Sequence, residues 1–147
     1  MTRRMLLLPA VLLLCLSLSA CGEKSYADGT YTGRSADYIN EEEGEEAGNG
    51  YGVVELTISG GQITACTYQT YELDGTLKDE DYGKENGEIK NKDFFNKAQK
   101  ARGACENYAA QLVAKQKVKD VDAISGATVN YNEFKEAVAD ALKQAEQ

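Results

Sequence analysis

A single change of period governs what this chain can fold into. Over residues 54–58 apolar side chains recur at every second position; from Asp93 onward they recur at every third or fourth. Val54, Leu56 and Ile58 alternate with Glu55 and Thr57, the pattern of a strand with one apolar face. Ser59-Gly60-Gly61-Gln62 has the residues of a tight turn, and 63–68 return rich in β-branched and aromatic side chains, so the pair reads as an antiparallel hairpin. Residues 69–73 continue as strand or begin another, up to the Asp74-Gly75 turn signal. An earlier run, Asp28-Gly29-Thr30-Tyr31-Thr32-Gly33, is β-prone and marks the start of the fold.

The helical regime follows a charged, Gly-bearing connection over 78–92. Phe94, Phe95, Ala98, Ala101, Cys105, Tyr108, Ala109, Leu112 and Val113 share one helix face, with Asp93 as its expected N-cap. Gly103 weakens the middle by about 1 kcal/mol relative to Ala. After a second charged connection over 115–120, a last helix presents Phe134, Ala137, Val138, Ala141, Leu142 and Ala145, with Asn130 and Glu133 spaced as a capping box. Strands first and helices after predict an α+β fold: a small antiparallel sheet of N-terminal hairpin strands packed with two C-terminal helices.

The first twenty residues stand apart from this pattern. Arg3 and Arg4 precede an apolar run over 6–18, broken by Pro9 and Ser17, which suits a secretory signal better than a membrane span. The Thr2-Arg3-Arg4 start weakly resembles a twin-arginine signal, but the short n-region and very apolar core favour general export. The run ends in Leu18-Ser19-Ala20-Cys21-Gly22, which resembles the bacterial lipobox, with an ordinary signal peptide as the plainer reading. The lipobox resemblance implies a signal peptide over 1–20, a lipid on Cys21, a short tether over 21–28, and a domain held at the extracytoplasmic face of a cell membrane.

Composition excludes several functions. The chain has 147 residues, a net charge of −8, and no His. Without His, no Ser–His–Asp or Cys–His nucleophile can form within it, and the commonest metal ligand is missing. The acidic balance argues against nucleic acid, whose phosphates need clustered Lys and Arg. Of the four cysteines, Cys15 lies in the signal and Cys21 at the lipid site. Cys66 and Cys105 remain, and an exported domain permits a disulfide between them or two buried thiols; spacing does not decide. The acidic run at 41–46 reads as a solvated loop, since it lacks the Asp/Asn/Gly spacing of a calcium loop.

The chemistry concentrates in Asp122-Ala123-Ile124-Ser125-Gly126-Ala127-Thr128, at the entrance to the last helix. Gly126 allows positive φ and close approach of the backbone to a phosphate, and Ala127 keeps the next side chain small. Ser125 can donate to a phosphate oxygen, and the helix start adds unpaired N–H groups and a dipole worth roughly 0.3–1 kcal/mol toward an anion. Asp122 is expected to fix the turn by accepting backbone or Ser hydrogen bonds. Thr128 offers a hydroxyl where turn meets helix. An ordinary loop into a helix is the plain alternative.

This heptad resembles the attachment motif of FMN-binding domains, Asp-x-x-Ser/Thr-Gly-Ala-Thr/Ser followed by a helix. The opening strand at 28–33, the hairpin around Gly60-Gly61, and Gln116 ahead of Asp122 extend the resemblance over most of 28–145, with specificity residing in the heptad. It implies that 29–147 form an FMN-binding domain in which Asp122, Ser125, Gly126 and Ala127 shape the site and Thr128 carries FMN as a covalent phosphoester. It further implies an exported flavin transferase as partner, using FAD and magnesium, and a membrane redox partner such as a dehydrogenase or quinone-linked complex. Candidate ring neighbours are Tyr31, Tyr68, Tyr71, Tyr82 and Tyr131. The implied function is electron carriage rather than stand-alone catalysis. The competing readings are a flavin-free binding or adhesion lipoprotein of the envelope, and a small extracytoplasmic enzyme for which no catalytic constellation is visible.

Overall fold

A computed structural model describes residues 24–41 and 48–147. The signal segment, Cys21 and most of the acidic run at 41–46 lie outside the described residues. Three strands, β1 (Gly29–Arg34), β2 (Tyr51–Ser59) and β3 (Gln62–Tyr71), form an antiparallel sheet in the order β1-β2-β3. Two helices follow, α1 (Lys92–Lys115) and α2 (Thr128–Ala145), joined through a 3-10 turn at Val118–Asp120. The fold is α+β, with the strands before the helices as the change of period requires.

The hairpin register follows from the turn. Gly60 and Gly61 take φ of 60° and 73°, the left-handed pair that a two-residue hairpin loop demands. Ile58 then faces Ile63, whereas Thr57 faces Ala65, so Thr64 is an extra residue on β3. Val54, Leu56 and Ile58 all point to the helix side and are buried, while Glu55 and Ser59 face solvent. Over them Tyr68, Tyr108 and Phe134 form an aromatic centre. The Phe134 ring lies 4.9 Å from Tyr68 and 5.6 Å from Tyr108.

α1 packs on β3 and α2 on β1 and β2. α2 approaches β1 at Gly33, where a Cβ would stand 2.0 Å from the Ala137 carbonyl oxygen and 2.4 Å from the Ala141 nitrogen. Both are rigid helix backbone, so Gly33→Ala is expected to push α2 off the sheet and cost about 1–3 kcal/mol, read as a lower urea midpoint. Polar contacts hold the same seam: the Arg34 N–H donates to Asp140 Oδ2 at 3.0 Å and Gln144 Nε2 to the Thr32 carbonyl at 2.8 Å.

The helix ends depart from expectation in two places. Asn91, not Asp93, caps α1: it is extended, and its Oδ1 accepts from the Phe94 N–H at 3.0 Å, leaving Asp93 in the first turn. Asn130 and Glu133 do not form a capping box, because α2 already begins at Thr128 and its N-cap, Ala127, makes no side-chain bond. Asn130 instead donates to the Ala101 carbonyl at 3.1 Å, tying α2 to α1, and Glu133 is buried. At the other end of α1, Gln116 adopts left-handed φ of 65° as C-cap. Its side-chain amide both donates to and accepts from Ile63 at 2.9 Å, clamping the helix end to β3. Cys66 and Cys105 are free thiols.

The two ends of the described chain meet beside the C-terminal end of α2. The Ala27 N–H donates to the Ala145 carbonyl at 2.8 Å, Tyr26 bridges Glu146, and Lys24 pairs with Glu146.

Candidate functional site

The loop into α2 is held from α1. Tyr108 is fully buried, and its hydroxyl reaches the loop backbone twice: it accepts from the Ile124 N–H at 3.0 Å and donates to the Ala127 carbonyl at 3.2 Å. Tyr131, one turn into α2, donates to the Val121 carbonyl at 2.9 Å. Within this frame the Ala127 N–H returns to the Ile124 carbonyl at 3.0 Å, closing a turn over Ser125 and Gly126. Gly126 takes φ of 82°, the left-handed third position such a turn requires. Tyr108→Phe would strand the Ile124 N–H, while the Ala127 carbonyl would keep its bond from the Tyr131 N–H. The expected cost is about 1–3 kcal/mol, with faster hydrogen exchange at the Ile124 amide.

Asp122 fixes the loop differently from the sequence expectation. Its carboxylate accepts from Lys115 Nζ at 2.6 Å, and its N–H donates to Gln111 Oε1 at 2.8 Å. The cause is proximity: Gln111 and Lys115 stand one helical turn apart on the face of α1 that looks at the loop. Asp122 is thereby paired with Lys115 at the start of the turn.

Thr128 is exposed at the first residue of α2, and Ser125 is exposed two residues into the turn. Neither hydroxyl has a hydrogen-bond partner among the described residues. The first bond of the helix ladder runs from the Tyr131 N–H to the Ala127 carbonyl at 3.0 Å, which leaves the N–H groups ahead of it for other acceptors. No acidic residue occupies the first turn of α2. These features suit an anion: free donors, the positive end of a helix dipole and a glycine with no Cβ in the way. The face of α2 that continues from Thr128 carries Asn132, Lys135, Glu136 and Ala139 around a shallow depression of about 440 Å³.

Of the five tyrosines expected beside a ring, only Tyr131 borders this turn. Tyr68 is in the core, donating to the Asn130 carbonyl at 2.7 Å. Tyr71 stacks on Tyr51 at 5.5 Å, Tyr82 packs on Phe94 at 6.0 Å, and Tyr31 donates to the Ala27 carbonyl at 3.0 Å.

A larger groove, about 610 Å³, lies between β3 and α1 and is lined among others by Tyr68, Thr70, Lys78, Arg102, Cys105 and Val113. It is not the surroundings of Thr128. Arg102 and Lys100 differ by about 200° around α1, and the Lys100 side is the one that meets the loop. Burial pushes the Cys66 thiol on this groove up to about 12, so it is an inert thiol near neutral pH. Glu133 lies in the core nearby, 4% exposed, with neither carboxylate oxygen hydrogen-bonded. Burial pushes its carboxyl up to about 7, against the pull of Lys78 and with a small push from Glu136. Lys78, itself largely buried, donates to the Gly48 carbonyl at 3.0 Å and is held below its usual range by burial.

Sequence reasoning missed Lys100, Gln111, Lys115 and the hydroxyl role of Tyr108. Tyr108 registered only as an apolar-face residue. The polar three carried no signal, because their use depends on how the loop folds back on α1.

No cluster of three or more His, Cys, Asp or Glu positioned for a metal occurs among the described residues, and no helix there is long and apolar enough to cross a membrane. The profile of a family described as FMN-binding domain matches residues 48–143. No curated protein matches the chain. Among solved structures, the chain resembles the crystal structure of the CPE2226 protein from Clostridium perfringens, with 24% identity, a TM-score of 0.57, and coverage of 82% of this chain and 88% of that one. The likeness shows a shared fold. A solution NMR structure from Clostridium thermocellum, 23% identical over 78% of this chain and 91% of that one, superposes at a TM-score of 0.38.

Proposed function

This chain belongs to the FMN-binding domain family, and on that premise we propose that it is an extracytoplasmic, lipid-anchored flavoprotein that carries FMN covalently on Thr128 and passes electrons. The observation that carries the reading is the state of Thr128. Its hydroxyl is exposed and unpartnered at a helix start, directly after a glycine turn, with no acidic side chain in the first turn of the helix.

The chain's own residues hold the turn and supply the acceptor. Tyr108 and Tyr131 set the loop backbone, the Asp122–Lys115 pair anchors its start, and Ser125 with the free N–H groups of α2 receives phosphate oxygens. A Thr hydroxyl is a weak nucleophile, the chain has no His, and no base among the described residues hydrogen-bonds Thr128, so an exported flavin transferase is the partner the reading calls for. In that transfer Thr128 would supply the acceptor oxygen for the FMN-side phosphorus of FAD, with AMP as the leaving group. The hydroxyl proton passes to a base of the transferase, and no electrons move. Once attached, FMN supplies reversible one- or two-electron chemistry. Asn132, Lys135, Glu136 and Ala139, on the exposed face of α2 beyond Thr128, are the side chains that would border a linked flavin.

Anchorage through Cys21 and a membrane dehydrogenase or quinone-linked donor complete the proposal, which rests there on the lipobox-like sequence. The test is intact mass of the protein produced with and without a flavin transferase. The expected gain is FMN minus water, with yellow absorbance that survives denaturation. Protein that never gains this mass under transferase co-production would overturn the reading in favour of a flavin-free envelope lipoprotein.

A further inference from the structure

We infer that Lys100 is the cation that pairs with the phosphate carried on Thr128. The inference rests on the Thr128 reading and adds to it a residue from a different element, 28 positions upstream by sequence number.

Lys100 projects from α1 onto the bare face of Gly126. A Cβ on Gly126 would stand 3.3 Å from Lys100 Nζ and 3.6 Å from its Cδ and Cε. The lysine stem therefore lies beside the glycine, and the ammonium is next to Gly126, two residues ahead of Thr128. Among the described residues that ammonium has no hydrogen-bond or ion-pair partner. The carboxylate of the loop motif, Asp122, is already paired with Lys115, and the first turn of α2 offers no acid. A cation is thus placed where the helix dipole and free N–H groups also favour negative charge, with no protein anion there to receive it. A phosphoester on Thr128 adds one negative charge at this spot. In a chain of net charge −8, a local positive partner offsets the repulsion that a new anion would otherwise meet.

Gly126 has a second role in this arrangement. A side chain there would strain the turn, at φ of 82°, and push the lysine end aside by a few tenths of an ångström.

The experiment compares the flavin-free and FMN-loaded full chain by amine acylation, quantified by peptide mass. Lys100 is expected to acylate several-fold more slowly in the loaded protein, while exposed Lys92 and Lys97 on the same helix react equally in both. In the transferase reaction, Lys100→Gln is expected to load about 2- to 5-fold more slowly than wild type, as loss of one exposed charge pair implies. Lys100→Arg should restore the rate, and added salt should narrow the gap. Loaded wild type whose Lys100 stays as reactive as in the flavin-free protein would overturn the inference and leave Thr128 as the carrier. Lys100→Gln loading at the wild-type rate would do the same. If wild type itself gains no FMN, the Thr128 reading fails first.

Discussion

Thr128→Ala is expected to leave the protein without covalent FMN. The substitution deletes the only atom that the proposed ester uses, and it leaves the fold alone. Thr128 is exposed, and its hydroxyl has no hydrogen-bond partner among the described residues. Protein co-produced with a flavin transferase should show the full mass shift for wild type and none for the variant, at unchanged thermal stability. Thr128→Ser keeps the oxygen and should retain part of the modification. The lost methyl widens the choice of rotamers, so fewer encounters present the hydroxyl to the donor. A mass gain that persists in Thr128→Ala would place the ester elsewhere, with Ser125 as the next exposed hydroxyl in the turn.

The second large effect concerns stability and centres on Glu133. Its carboxyl, buried without a hydrogen bond, titrates at about 7 in the folded chain against 4.5 as its ordinary value. Folding therefore favours the protonated form. Between those two pH values the unfolded chain loses this proton while the folded chain keeps it, so stability falls as pH rises through the window. Above the folded value the loss is complete and amounts to at most about 3 kcal/mol, at ~1.4 kcal/mol for each unit of pKa. Glu133→Gln should match wild type within ~1 kcal/mol at pH 5 and exceed it by about 2–3 kcal/mol at pH 8, because the amide cannot ionise. Urea unfolding of both chains at the two pH values measures this. A wild-type midpoint that stays flat from pH 5 to pH 8 would show that Lys78, or water reaching the site, stabilises the carboxylate better than its burial implies.

Much of the fold was legible because periodicity reports burial directly. Val54, Leu56 and Ile58 had to share a face, and Gly60-Gly61 had to turn the chain, whatever the tertiary context. The helix starts were less legible. An N-cap is decided by which side chain can reach an N–H in the folded geometry, and Asn91 outcompeted Asp93 by standing one residue ahead of the helix. Asn130 is the clearer case. Its spacing to Glu133 matched a capping box, yet packing against α1 drew it to Ala101 and Glu133 into the core. At the site, local residues were legible and distant ones were not. Thr128, Ser125 and Gly126 act through the turn they themselves form. Lys100 and the Tyr108 hydroxyl act only because α1 lies alongside, and one sequence read without its contacts carries no trace of that adjacency.

α2 is a strut with opposite poles. Its first residue is Thr128, and its last turn is laced to the start of the domain through Ala27 and Ala145. Eighteen residues separate these poles by about 27 Å, at ~1.5 Å per residue. If the proposed lipid on Cys21 held the laced pole at a membrane, Thr128 would lie at the far end of α2 from the anchor. A donor embedded flush with the lipid surface would then be out of contact, and electrons would have to arrive from a protein that stands comparably tall or from a carrier that diffuses between them.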